Sequence, residues 1–326
     1  MWQDFAVLLV IWICMSKMAN ADKAAGDRFR IDACEVGYQI SEGESPVLFY
    51  QQQSKSADGK WPRANYVHPL YDLDGRVITE DFPADHGHHR GIFWAWHQVI
   101  IGDKQIGDSW ECKRFVWDVK SVERAVENDS AGLNVEVFWL SPDWTDDDQG
   151  PKPFVKEQTS IRVHRATPTQ RMIDFTIRIQ ALEPNLKLGG SNDAKGYGGF
   201  APRIRLNPTM KFSSENGDVE PATTAVAAGR WLDISGDFRE LRPLNPLNTA
   251  EPAKPSGVTI LSHPSIPGFP RPWILRRACS MQNPVFPGRE PVDVLVDKPL
   301  ILKYRLVLHR GEVSVQTINQ WQDEVV

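Results

Sequence analysis

The run Asp85-His86-Gly87-His88-His89-Arg90-Gly91 places three imidazoles, a carboxylate and a guanidinium within seven positions. Five of the eight histidines (His68, His86, His88, His89 and His97) fall between Tyr66 and Glu111, with Trp94, Trp96, Asp108, Trp110 and Glu111 beside them. Such groups are costly to bury without partners, so a chain that gathers them keeps them for a ligand, a metal or a reaction. A neutral imidazole abstracts a proton near neutral pH while a cation such as Arg90 stabilises the anion that forms. On extended backbone His86 and His88 face one way and His89 the other. Two imidazoles at that spacing bind one divalent metal, with Asp85 or Glu111 to complete the set. The catalytic candidates are therefore Asp85, His86, His88, His89 and Arg90. His86 and His88 are the metal candidates, and a divalent metal is the cofactor they would take.

Other residues are placed to bind a substrate. His68 precedes Pro69, which favours an extended conformation that can converge from a neighbouring strand. Arg203 follows the glycine-rich stretch 189–199 and is a clamp for an anion or hydroxyl. His263-Pro264 ends a strand, where binding loops lie. Twelve tryptophans are unusual, and Trp94, Trp96 and Trp110 beside polar residues and Glu111 are the pattern of a sugar-stacking pocket. His97 shares the side of Phe93 and Ala95 and reads as structural; His164 and His309 lie among alternating strand residues. No GxSxG elbow supports a serine hydrolase. The stretch 189–199 does not match GxxxxGK[ST], and the acidic loop 143–150 lacks EF-hand spacing; a closely packed or mobile loop beside a pocket suits 189–199 better.

The elements that must hold these groups are short strands and turns, with little repeating at helical spacing. Strands are expected at 29–33, 35–40 and 46–50, and at 69–71 and 77–79 around the Asp74-Gly75 turn. Others are expected at 91–101, 117–126 with 133–140, 201–206, 225–233, 257–262 and 300–310. The clearest hairpin joins 154–165 to 171–182, where polar and apolar residues alternate. Residues 241–247 read as loop, and 313–324 as the one helix. The fold class is all-β: a large antiparallel β-sandwich, one domain over 22–326, with long loops and a short C-terminal helix.

Net charge is −5 with both signs interspersed, so nothing resembles the basic stripe of a nucleic-acid binder. Phe5–Met15 is an apolar run too short to span a bilayer comfortably, and Ala19-Asn20-Ala21 fits a cleavage site. Residues 1–21 are thus read as a secretory signal cleaved after Ala21, although MWQD lacks the usual positive charge; an uncleaved anchor is the alternative. A secreted or periplasmic protein with no membrane association after cleavage is expected. Cleavage leaves Cys34, Cys112 and Cys279, which allow one disulfide or none.

The motif HPL…DG…T…DHGHHRGIFWAW, followed by G…DSWE, resembles a bacterial family of unknown function labelled "methane oxygenase PmoA". GYGGF-APR at 196–203, RWLD at 230–233 and SHP…P.PW at 262–273 are similar too, in the same order. The resemblance spans about residues 60–310. It implies a β-rich fold of the galactose-mutarotase supersandwich kind and the company of secreted sugar-degrading proteins; methane oxidation is not carried over. Asp85, His86, His88, His89, Arg90 and Trp96 occupy the family's central motif. Gly87 stands where the family often has proline, which would loosen the turn. The expected function is a secreted carbohydrate-active enzyme of the hydrolase, lyase or epimerase kind acting on a carbohydrate or other small molecule. The alternatives are a non-catalytic carbohydrate-binding sandwich and a metal-dependent oxygenase.

Overall fold

The structure is a computed structural model that describes residues 28–325 except 147–149, 207, 209 and 239–254. The signal segment 1–21, loop 241–247 and part of the acidic loop lie outside the described residues. The regular structure of the rest is almost entirely antiparallel sheet. Nine strands form the largest sheet, in the order Val116–Val126, Ser130–Leu140, Val155–His164, Gln170–Ala181, Leu300–Arg310, Ser256–Ser262, Trp231–Gly236, Lys211–Ser214 and Gly217–Asp218. A six-stranded sheet runs Phe29–Cys34, Gly37–Glu42, Ser45–Gln51, Tyr66–Leu70, Ile92–Ala95 and Gly199–Pro202. Val292–Val294, Leu186–Gly189, Gln98–Ile101 and Lys104–Gly107 make a four-stranded sheet.

Alternation explains the sandwich. In Val155–His164 and Gln170–Ala181 every second side chain is buried, and Ile161, Val163, Ile173, Phe175, Ile177 and Ile179 share one core with Ile40, Leu48, Val67 and Trp94 of the six-stranded sheet. The expected strands at 29–33, 46–50, 117–126, 133–140, 257–262 and 300–310 all form, within a residue or three of their expected ends. So does the helix, Val315–Asp323, capped by Ser314 and packed through Ile318 and Trp321 on Trp231, Leu261 and Val307. No helix among the described residues is long and apolar enough to cross a membrane. Cys34, Cys112 and Cys279 are free thiols.

Four expected strands are corrected: 77–79 makes only the isolated bridges of Val77 with Tyr71 and Thr79 with Ile204, and 225–233 is strand only from Trp231. The other two corrections shape the site. The expected strand 91–101 breaks at Trp96-His97: Ile92–Ala95 belongs to the six-stranded sheet and Gln98–Ile101 to the four-stranded one. At the break, strand pairing gives way to the segment 108–111. The Trp96 N–H donates to Ser109 Oγ at 2.8 Å, and the Trp96 carbonyl accepts from Ser109 Oγ at 3.0 Å and the Trp110 N–H at 3.2 Å. The expected strand 201–206 ends at Pro202. Beyond it, the Arg203 N–H donates to the Gly91 carbonyl at 2.7 Å and its carbonyl accepts from the Glu80 N–H at 3.1 Å, so the arginine is stitched between the loops that carry Glu80 and the histidine motif.

Candidate functional site

The histidine motif is neither strand nor extended loop. The His86 N–H donates to Pro83 O at 3.1 Å and the His89 N–H to His86 O at 2.9 Å, so two successive tight turns carry the three imidazoles. Residues three apart then share a face: His86 and His89 stack at 4.8 Å with planes 5° apart. His88 stands edge-on to both, at 5.7 Å and 4.6 Å. The expected pairing of His86 with His88 against His89 is therefore overturned, because alternation holds only on extended backbone. Gly87 does not loosen this turn. A Cβ there would lie 2.2 Å from the Trp61 ring, and one on Gly91 would lie 2.1 Å from the Val67 carbonyl, so both glycines permit close packing of the loop.

Arg203 is the organiser. It is almost wholly buried, and its Nε donates to Glu80 at 2.7 Å, its Nη1 to His89 Nδ1 at 3.1 Å, and its Nη2 to both oxygens of Asp85 at 2.9 Å. Its expected role as a clamp on substrate is corrected, since every guanidinium nitrogen already has a protein partner. An arginine has no acceptor, so His89 Nδ1 accepts and its proton sits on Nε2. Burial, with the charges of His88 and Arg203, depresses the basicity of His89 strongly, which keeps it neutral. Asp85 receives the His86 Nδ1–H at 2.6 Å. Burial pushes that carboxyl up, but the hydrogen bonds from His86 and Arg203 outweigh it and hold Asp85 below the usual carboxylate range. An ionised Asp85 fixes the His86 proton on Nδ1 and leaves Nε2 as a lone pair on a ring whose side chain is 45% exposed. Burial brings His88 from 6.5 to about 4; the Glu111 charge opposes this and Arg63, His86 and His97 reinforce it.

Arg90, expected at the reacting charge, is instead placed as a loop staple. It is fully buried, donates to the carbonyls of Gly87, His89 and Trp61, pairs with Asp81, and lies 3.5 Å over the Phe82 ring. The tryptophans are corrected as well. Trp94 donates to Glu157 and Trp96 to the Phe286 carbonyl, both inside the sandwich, so neither ring can stack on a sugar. Trp110 is fully buried but lies beneath the cluster, edge-on to His89 at 5.9 Å. His68 hydrogen-bonds Thr79 Oγ1 at 3.0 Å, near Asp81 and Arg90 rather than against the three imidazoles. His263 closes its own turn on Ser265, and no described contact joins it to the cluster. Glu111 stays beside the site, paired with Lys113 and acting on His88. The expected metal pair finds no third donor: among the described residues no group of three or more His, Cys, Asp or Glu is arranged to hold a metal ion.

Sequence spacing missed three members of the site. His97 bonds Asp108 Oδ2 at 2.9 Å and stacks on Trp110 at 5.5 Å, a consequence of the break that turns it off the strand. Tyr197, from the glycine-rich loop, touches both rings at 5.0 Å. That loop is closely packed: a Cβ on Gly190 would lie 2.1 Å from the Gly196 carbonyl, and Asp193 Oδ1 accepts from Ser191, Lys195 and Gly196. Buried Arg63 holds the 108–111 segment by donating to the carbonyls of Ser109 and Trp110, between the faces of Phe93 and Trp117. The G…DSWE segment, with Asp108 at its head, was the one sequence signal for this half.

Burial sets an acid limit on the fold. His68 and His88 both fall from 6.5 to about 4, so each is kept neutral by the folded state. A depressed value means stability present above pH 6.5 and lost as pH falls toward 4. Thermal melting across that window is expected to show a progressive fall, partly relieved by His88→Asn; a flat profile would show that these imidazoles are not held neutral by folding.

The family described as "Family of unknown function (DUF6807)" matches residues 38–322, which takes in the whole cluster. Comparison with the curated proteins returns no match.

Proposed function

Because the chain belongs to this family of unknown function, we propose its chemistry from the site: a secreted carbohydrate-active enzyme whose imidazoles transfer protons, of the lyase or epimerase kind. The observation that carries this is the line Arg203–Asp85–His86, which ends in a partly exposed imidazole whose Nε2 keeps its lone pair. A carboxylate on Nδ1 fixes the tautomer and balances the imidazolium that forms when Nε2 takes a proton. Neutral His88 and the Nε2–H of His89 stand beside it to bind hydroxyl or carbonyl oxygens. Glycoside hydrolysis most often needs two free carboxyl groups across the scissile bond. Here Asp85 is committed to Arg203 and His86, and Asp108 to His97 and the Glu111 N–H, so hydrolysis is disfavoured. A binding sandwich is disfavoured too, because the rings of Trp94 and Trp96 are spent inside the sandwich core and offer a sugar no face to stack on. The resemblance to a family found with sugar-degrading proteins supports the substrate class.

The test is proton NMR in D2O of wild type and His86→Asn with a panel of keto sugars, uronates and their oligosaccharides. Asparagine keeps a donor to Asp85 but lacks Nε2. Conversion, or loss of a carbon-bound proton signal, is expected with one class of sugar and should fall by roughly 100-fold or more in the variant. Full activity in His86→Asn, or saturable binding without any turnover, would overturn the acid/base assignment.

A further inference from the structure

His97 has the same equipment as His86. Its Nδ1 lies 2.9 Å from Asp108 Oδ2, and the Glu111 N–H donates to Asp108 Oδ1 at 2.9 Å. The carboxylate accepts from the Nδ1–H, which leaves Nε2 as the lone pair. That Nε2 is buried with no hydrogen-bond partner, and so is Nε1 of fully buried Trp110. Buried polar atoms are nearly always satisfied, so two orphans on rings stacked at 5.5 Å mark a place for a ligand's polar groups. Contiguous rings connect this place to the other dyad: Trp110 meets His89, which stacks on His86, and His88 is close enough to feel the charges of both His86 and His97.

We propose that His97, oriented by Asp108, is a second proton-transfer group and that it works with His86 on a carbon beside a carbonyl, as in a uronate or keto sugar. This rests on the acid/base reading above. One neutral Nε2 takes the proton as the C–H bond breaks, and the electron pair moves into the adjacent C=O to give an enolate. The enolate oxygen accepts from the Nε2–H of His89 and the Nε1–H of Trp110, preorganised donors where charge develops. The partner imidazole, protonated at the outset, returns its proton to the carbon in epimerisation, or to the oxygen leaving from the β carbon in elimination. One proton leaves the substrate and one returns, so no oxidant or further reactant is needed.

Two variants test the assignment on the full chain, with the same sugar panel in D2O. His97→Asn keeps a donor toward Asp108 and removes Nε2. In Asp108→Asn the amide oxygen stays on the Glu111 N–H, so the NH2 faces His97 Nδ1 and forces the ring proton onto Nε2, abolishing the base without changing shape. Both are expected to melt close to wild type, to lose about 100-fold or more in kcat and to keep KM within roughly threefold. If both retain wild-type kcat, or lose only in KM, while His86→Asn is inactive, the role of His97 is overturned and the acid/base reading stands. If the wild type converts nothing on the panel, both fall together.

Discussion

Arg203→Lys is expected to lower folding stability by about 2–4 kcal/mol and to cut turnover at least as far as His86→Asn does. The change preserves the positive charge, so a role in bulk electrostatics would survive it. The geometry would not survive. One guanidinium holds Glu80 through Nε, His89 through Nη1 and both oxygens of Asp85 through Nη2, and an ammonium on a flexible stem cannot meet three partners in those directions. His89 would lose the donor that pins its proton to Nε2, and Asp85 the grip that aims His86. Urea unfolding reads the stability, and nitrogen-15 NMR of the imidazoles reads the tautomer. In wild type His89 should appear as a fixed Nε2–H ring; in the variant the tautomers should mix. A lysine variant with wild-type stability and an unchanged His89 signal would show that Arg203 is a bystander to the site.

Arg203 also shows where sequence reasoning stops. Its place after the glycine-rich loop marked it as functional, but its partners Asp85 and His89 lie 118 and 114 positions away, and only the fold reveals them. Arg90, inside the motif itself, is the more conspicuous charge in the sequence. It is consumed by the carbonyls of Trp61, Gly87 and His89 because the doubled turn brings those oxygens inward. The strands Val155–His164 and Gln170–Ala181 were legible because one face is buried and the other wet, which writes a period of two into the chain. Ile92–Ala95 is buried on every residue, so it carries no such period, and its end before His97 left no mark in composition. The tryptophans failed for a related reason. A large ring beside polar residues looks the same in sequence whether it lines a pocket or caps a buried polar group.

Trp94 and Trp139 do the latter, and the group they cap sets the largest stability effect expected in the molecule. Glu157 is fully buried between the sheets and has no cationic partner among the described contacts. Its Oε1 accepts from Asn65 Nδ2 at 2.8 Å, Trp94 Nε1 at 2.8 Å and Thr159 Oγ1 at 2.7 Å, while Oε2 accepts from Trp139 Nε1 at 2.8 Å. Burial raises this carboxyl despite the four donors that favour its charge. Its linkage therefore opposes that of the histidines: its contribution is present below pH 4.5 and is lost as pH rises through the elevated folded value. Glu157→Ala is expected to cost on the order of 4 kcal/mol or more, since it opens a cavity and strands the donors of both indoles, an amide and a hydroxyl at once. Glu157→Gln should cost less, about 1–3 kcal/mol, because an amide satisfies the three donors on Oε1 but presents its NH2 to the Trp139 N–H. Adding Trp139→Phe removes that donor clash, so the double variant should recover part of the glutamine loss. Denaturant unfolding of the three variants decides it. If alanine costs no more than glutamine, the carboxylate does not bridge the two sheets and the indoles are held by packing alone.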